Sequence, residues 1–221
     1  RVASEKSVPA LAFGSGSSVS TSKVTSKDFR GPIRTVETRV RFPTDVSVDM
    51  TASLFTGSIW SLNTASDGSM KQRLFFTKTD VSSQTGSLIY TGSEGSVVLS
   101  GAPIFNNKWY NVAVLKDYLS SSVRIDVREI EQDEVIFHQT SSLFTPLPSD
   151  SSSVYRLLLG STGSLASQQW MQEVRVWTEP LSEIELNDHV LNFQSFGTEE
   201  IDGLTELSLH WRLNENVTSS A

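Results

Sequence analysis

Apolar and polar residues alternate along most of this chain with the period of two that marks a β-strand. In "RTVETRVRF", Val36, Val40 and Phe42, with Thr38 between them, share one face, while Thr35, Glu37, Arg39 and Arg41 share the other. The pattern predicts a half-buried strand. The same period runs through Val123, Ile125 and Val127 in "SVRIDV", and through Leu207, Leu209, Trp211 and Leu213 in "LSLHWRL". Three further runs, "ASLFTGSIWSL", "QRLFFT" and "SVYRLLLG", are apolar on both faces and read as central strands. With "GSLIYTG", "GSVVLSG", "NKWYNVAVLKD", "EVIFHQ" and "WMQEVRVW", about a dozen strands are in view, separated by turn residues as in an antiparallel sandwich.

One helix interrupts them. After Pro180 comes "LSEIELNDHVLN", where Ser182 is placed to cap a helix and Glu185, three residues on, to close a capping box. The stretches 14–22 and 146–153 read as loops between strands, and no internal repeat is present. The expectation is an all-β fold with one short helix near the C-terminus, forming a single domain over residues 1–221.

Four carboxylates crowd "EIEQDE" at residues 129–134. Continued as a strand, Glu129, Glu131 and Asp133 would face one cleft, and a retaining glycosidase needs two carboxyl groups about 5 Å apart, which such a row could supply. Their neighbours, however, are Arg128, Gln132 and Glu134, whereas a catalytic acid needs apolar surroundings that raise its pKa. The stretch reads better as a turn joining two strands.

Composition narrows the partners. A formal net charge of −7 argues against nucleic acid and against acidic membrane surfaces, both of which select basic footprints. The 221 residues include no cysteine, which removes disulfides, thiolate nucleophiles and zinc-thiolate sites. No apolar run reaches the roughly 18 residues of a membrane helix. Serine and threonine supply about a quarter of the chain, well above ordinary globular usage. The chain opens at Arg1 without a signal-peptide pattern, so a module of a longer protein is expected.

Catalytic motifs are missing. His138, His189 and His210 stand on separate elements, without the spacing of a metal site or a Ser-His-Asp triad. No G-x-S-x-G elbow, phosphate-binding loop or dinucleotide fingerprint occurs. Trp60, Trp109, Trp170, Trp177 and Trp211 invite sugar stacking, although most strand tryptophans are core residues. Asn216 opens "NVT", a glycosylation acceptor only in a secreted eukaryotic chain.

Several stretches, taken in order, resemble a known group. "FNNKWYNVAVLKD", then a strand pair, then "YRLLLGSTGS" and "WMQEVRVWTEPLSEIELNDHV" resemble the laminin-G and concanavalin-A-like lectin/glucanase superfamily. The likeness covers roughly residues 9–215 and is specific from Phe105 to Val190. It implies a jelly-roll sandwich of two curved antiparallel sheets. Departures from the group bear on function. The hairpin "VRIDVREIEQDEVIF" carries no Y-V-D-G, E-Q-D-E fits neither spacing of the glucanase carboxylate row, and the pentraxin cysteine pair is absent. "LSLHWRLNENV" resembles a strand that opens many such modules, so it either completes this sandwich or belongs to a tandem array.

The resemblance brings two candidate sites. Sandwich lectins often hold calcium in loops, and Asn63 with Asp67 in "SLNTASDGS" would suit an oxygen-only Ca²⁺ site; an Asp-Gly turn explains the same residues. If the N- and C-terminal strands pair, as they do in the superfamily, Arg39, Arg41, His210 and Arg212 form a basic stripe for an acidic partner or glycan. The ordinary polar side of a half-exposed strand accounts for them equally.

These readings predict a non-catalytic structural or adhesive module of a large extracellular or virion assembly, such as a phage fibre, a capsid decoration or a surface adhesin. Its partners would be protein neighbours, without nucleic acid or membrane insertion, and as a homo-oligomer if viral. No cofactor is required. The alternatives are a glycan-binding lectin module assisted by calcium and a glucanase-like hydrolase using Glu129, Glu131 and Asp133.

Overall fold

The computed structural model describes residues 11–13, 18–20, 33–44, 55–64, 69–78, 80, 83–92, 95–117, 119–130, 134–141, 155–160, 169–192 and 207–213. Among these, thirteen strands and one helix stack as two antiparallel sheets. The first sheet has the order β1 (Leu11–Phe13), β12 (Gln169–Trp177), β3 (Thr35–Arg41), β8 (Trp109–Asp117), β9 (Ser122–Glu129) and β10 (Glu134–Ser141), and β13 (Leu207–Trp211) also pairs with β12. The second runs β2 (Ser18–Ser20), β11 (Tyr155–Gly160), β4 (Phe55–Thr64), β5 (Met70–Lys78), β6 (Gly86–Gly92) and β7 (Gly95–Ala102). The three runs apolar on both faces are β4, β5 and β11, and all lie inside the second sheet, as read from sequence. β2 falls within the stretch 14–22 read as a loop; three residues of Ser and Val carry too little pattern to register.

Alternation builds the core. Val36 and Val40 from β3, Val112 and Val114 from β8, and Ile125 and Val127 from β9 meet Trp60, Leu74, Phe76, Tyr90 and Leu157 from the opposite sheet. At one end Phe42, Phe76 and Phe105 pack with ring centroids 4.8, 5.0 and 5.3 Å apart, contacts worth roughly 0.5–1.5 kcal/mol each beyond their buried area. Gly86 makes this packing possible, because a Cβ there would overlap the Phe105 ring and lie 2.8 Å from the Thr77 carbonyl oxygen.

Two sequence expectations about β3 need correction. The strand is buried on both faces apart from Arg41, because α1 (Glu183–Leu191) covers the side that alternation had left to solvent. Nor does β3 pair with β13: β12 lies between them, with β1 and β13 along its far side. The C-terminal strand thus completes this sandwich. The acidic stretch does join a hairpin, with Glu129 opposite Glu134 in the β9–β10 register; residues 131–133, and with them Glu131 and Asp133, lie outside the described residues.

α1 starts where its capping signals put it. Ser182 Oγ accepts a hydrogen bond from the Glu185 amide at 3.3 Å, and Glu185 Oε2 accepts one from the Ser182 amide at 2.5 Å. Leu186, His189 and Val190 turn inward, and Leu186 joins Ala113, Leu115, Trp177 and Leu181 in a small second core beneath the helix. That docking builds the surroundings of the candidate site.

Candidate functional site

Strand alternation sends a row of charged groups to the outer face of the first sheet, where α1 meets them. Glu37 is 1% exposed. It accepts hydrogen bonds from Trp177 Nε1 at 2.6 Å and Asn111 Nδ2 at 3.3 Å, and its oxygens lie 3.0 and 3.2 Å from His189 Nδ1. Burial works to raise the Glu37 carboxyl, but the bond and charge of His189, the Arg175 guanidinium and the Asn111 amide outweigh it and hold the group below its ordinary value. The His189 ring stacks on Trp177 at 5.2 Å and 11°. Arg39 donates to the carbonyls of His189 at 2.6 Å and Val190 at 3.3 Å, placing a cation on the negative end of the helix. Arg128 donates to Asp126 Oδ1 at 2.7 Å, to the Glu183 carbonyl at 3.3 Å and to Asn187 Oδ1. The network is an ionic clamp that fixes the helix.

The clamp leaves a cleft of about 450 Å³ beside the helix start, lined by Leu115, Asp117, Leu119, Ser122, Arg124, Pro180, Leu181, Ser182 and Glu183. That volume lies in the range of small-ligand sites, roughly 300–1,000 Å³. One wall is the β8–β9 turn, which Asp117 holds together: Oδ1 accepts from the amides of Leu119 at 2.8 Å and Ser120 at 3.3 Å, and Oδ2 from Ser120 Oγ at 2.7 Å. The Ser120 hydroxyl lowers the Asp117 carboxyl; burial opposes it, and the two amides and the Arg34 charge add to the lowering. Ser121 completes the turn at φ 52°, a left-handed backbone that non-glycine residues seldom adopt. Leu119 stands fully exposed at the tip.

The opposite wall is the start of α1. Arg124 of β9 reaches the helix start, with Nη1 3.3 Å from Glu183 Oε1 and Nη2 3.2 Å from Asp126 Oδ2 of its own strand. Leu115, Pro180 and Leu181 add apolar surface between polar groups of both signs. Such a mixture suits a ligand that has C–H faces as well as hydroxyls. Sequence reading missed these residues. Asp117 and Ser120 carry a turn signature, but only the fold brings that turn against α1.

The residues expected from sequence are scattered. Arg39 is buried in the clamp. Arg41 donates to Asn107 Oδ1 at 2.9 Å and lies 5.1 Å over the Trp170 ring. His210 Nε2 sits 2.6 Å from Glu173 Oε2, at a bulge where Glu173 has φ 50°. Arg212 is exposed beyond β13. With β12 between the strands and Arg39 under the helix, the four do not form a continuous exposed stripe. Asn63 lies in β4 opposite Arg156, and its expected calcium partner Asp67 is outside the described residues. Among the described residues no three His, Cys, Asp or Glu side chains are grouped to hold a metal. Glu129 is not at a solvated tip: it is buried at the end of β9 and pairs with Lys108 Nζ at 2.5 Å.

No protein-family model and no curated protein matches the chain. Among solved structures it is similar to the binding domain of botulinum neurotoxin DC in complex with rat synaptotagmin II, at 12% identity and a TM-score of 0.52. That match covers 85% of this chain and 43% of the neurotoxin domain. The fold is the concanavalin-A-like lectin/glucanase sandwich. The Ruminococcus gnavus IT-sialidase CBM40 bound to alpha2,3 sialyllactose aligns at 15% identity and a TM-score of 0.49, over 82% of this chain and 96% of that one. A SAP-like pentraxin from Limulus polyphemus aligns at 12% identity and a TM-score of 0.48, over 83% and 79%. At these identities the likeness extends to the fold alone.

Proposed function

We propose that this chain is a non-catalytic glycan-binding module whose ligand occupies the cleft between the β8–β9 turn and α1. The observation that carries the reading is the cleft itself, whose lining combines Leu115, Pro180 and Leu181 with Asp117, Arg124, Ser122 and Ser182. A sugar ring offers the matching surfaces, a C–H face for the leucines and hydroxyls for the polar groups. The fold adds support, since a concanavalin-A-like neighbour with a TM-score of 0.50 is a binding domain solved with SialylT. Two commitments of carboxylates favour binding over hydrolysis: Glu129 is held by Lys108, and both oxygens of Asp117 are tied into their own turn. An adhesive role on a cell or virion surface is the setting in which such a module would work.

Titration of the chain against an oligosaccharide panel, followed by calorimetry and backbone amide shifts, tests this. The expected result is a ligand that perturbs residues 119–124 and 181–183 and loses about tenfold in affinity on Leu119→Ala, a change at a fully exposed side chain that removes contact area without touching the fold. Ligands that perturb only the second sheet would move the site elsewhere. Turnover of any panel member would overturn the non-catalytic assignment.

A further inference from the structure

Two tryptophans stand apart from the cores. Trp60 and Trp177 are buried, and Trp211 packs against the main core, whereas Trp109 and Trp170 are half-buried and join neither hydrophobic cluster. The strand register puts them in one row. Trp170 of β12 lies opposite Arg41 of β3, and Arg41 lies opposite Trp109 of β8. Their chain neighbours Met171, Val40 and Tyr110 fill the core, so alternation turns all three to the outer face of the first sheet. The tryptophans are two strand spacings apart, about 10 Å. The row is distant from the cleft, because Trp109 and Asp117 are the two ends of β8, roughly 25 Å apart at the rise of a strand.

Arg41 is held in place between them. Its Nε donates to Asn107 Oδ1 at 2.9 Å, and its guanidinium carbon lies 5.1 Å over the Trp170 ring. Asn107 is itself fixed, left-handed at φ 65° as Asn tolerates, with its amide donating to the Phe42 carbonyl at 3.0 Å. Among the described residues nothing bonds the two terminal nitrogens of Arg41. That leaves the edge of the guanidinium that pairs with a carboxylate through two parallel hydrogen bonds. The chain's own carboxylates do not compete for it on this face. The next rung, Gln172, Arg39, Asn111 and Arg128, has none, and Glu129 shares the inward side with Tyr110 and is paired with Lys108 Nζ at 2.5 Å. On that rung Gln172 keeps a buried Nε2 without a hydrogen-bond partner, a further donor beside the row.

We infer that Trp109, Arg41 and Trp170 form a second binding site, separate from the cleft, for a short oligosaccharide that carries uronate carboxylates. The carboxylate takes the free edge of Arg41, and the C–H faces of neighbouring rings lie on the indoles. A free anion would gain only an ion pair near solvent, where such pairs contribute little. A uronate uses both features of the row.

The test titrates the whole chain at neutral pH with trisaccharides of galacturonic acid and of mannuronic acid, each beside its uncharged methyl ester. At least one acid should bind about tenfold more tightly than its ester, the gain of a charge-assisted hydrogen bond. Binding should shift the indole N–H signals of Trp109 and Trp170 and leave those of Trp60 and Trp177 in place. Arg41→Gln should bind acid and ester alike, and Trp109→Ala should weaken both. Equal affinities for acid and ester in the unaltered chain would overturn the ligand class, as would a preference that survives Arg41→Gln. Affinities unchanged by Trp109→Ala would overturn the part given to the indoles. Shifts confined to residues 119–124 and 181–183 would assign the uronate to the cleft and remove the second site. Failure of both acids to bind would also overturn it, while the cleft reading would stand or fall on its own panel.

Discussion

The two outer faces of the sandwich start from similar patterns and end in opposite environments. On the second sheet, Arg73, Phe75 and Thr77 of β5, Ser87, Ile89 and Thr91 of β6, and Ser96, Val98 and Ser100 of β7 are half-buried or exposed. On the first, Glu37, Arg39, Asn111, Asp126, Arg128 and Arg175 occupy equivalent outward positions and are all buried. The difference is the helix. Once α1 lies over the first sheet, each outward charge must find a partner or bear the cost of an unpaired ion in a dry place. The charges became a clamp, whereas the hydroxyls, apolar side chains and single arginine named on the second sheet remain half-buried or exposed.

Removing one member from each face should give the widest contrast. Glu37→Ala would leave Trp177 Nε1, Asn111 and the His189 ring without their shared acceptor and uncover the charge of Arg175. A loss of about 3–5 kcal/mol is expected. Arg73→Ala would remove a side chain lying 4.7 Å over the Phe75 ring and should cost no more than about 1 kcal/mol. Urea unfolding of both variants decides the matter. Similar losses would mean that the clamp is not the distinction between the faces.

Acid should act on the same residue. The carboxyl of Glu37 is held below its ordinary value in the fold, so its contribution is complete above the unfolded carboxylate range and is lost as pH falls through the lowered folded value. Thermal midpoints measured downward from neutral pH should therefore fall more steeply in the native chain than in Glu37→Gln, which has no proton to gain. Parallel acid limbs would show that other carboxylates govern the acid transition.

This contrast also marks where sequence reading succeeds and stops. The sandwich was legible because β-period alternation, turn residues and the capping box at Ser182 are local signals, and β4, β5 and β11 carry apolar residues on both faces. β3 was misread as half exposed. "TVETRVR" looks like an amphipathic strand whatever covers it, and its cover comes from a helix more than a hundred residues further along the chain. The candidate cleft was illegible for the same reason. Asp117 and Glu183 belong to separate ordinary signals, a turn and a helix start, and only docking of α1 sets them across one opening. The basic stripe failed through topology, because alternation cannot say that β12 stands between β3 and β13.

A smaller effect sharpens the role of the helix. Ser182→Ala removes the hydroxyl that accepts the Glu185 amide and opens the capping box; such losses cost about 1 kcal/mol. Because Ser182 and Glu183 line the cleft, the same change should loosen that wall. Hydrogen exchange should speed up in the first turn of α1 before it does in β3 or β8. Equal exchange throughout would mean that the clamp alone sets the position of the helix.

The smallest effect is expected on the open face. Val98 is 49% exposed on β7, an edge strand among the described residues, opposite Ile89 of β6. Val98→Thr keeps the β-branch and therefore the strand preference. It exchanges a methyl that water already reaches for a hydroxyl that water can satisfy, so stability should stay within about 0.5 kcal/mol of the parent. The same exchange at Val36, 1% exposed in the core, would bury that hydroxyl among apolar side chains and cost about 1–3 kcal/mol. A Val98→Thr loss as large as the core one would mean that this face is covered in the folded chain, and the contrast between the two faces would then lie in what covers each of them, charged residues or apolar ones.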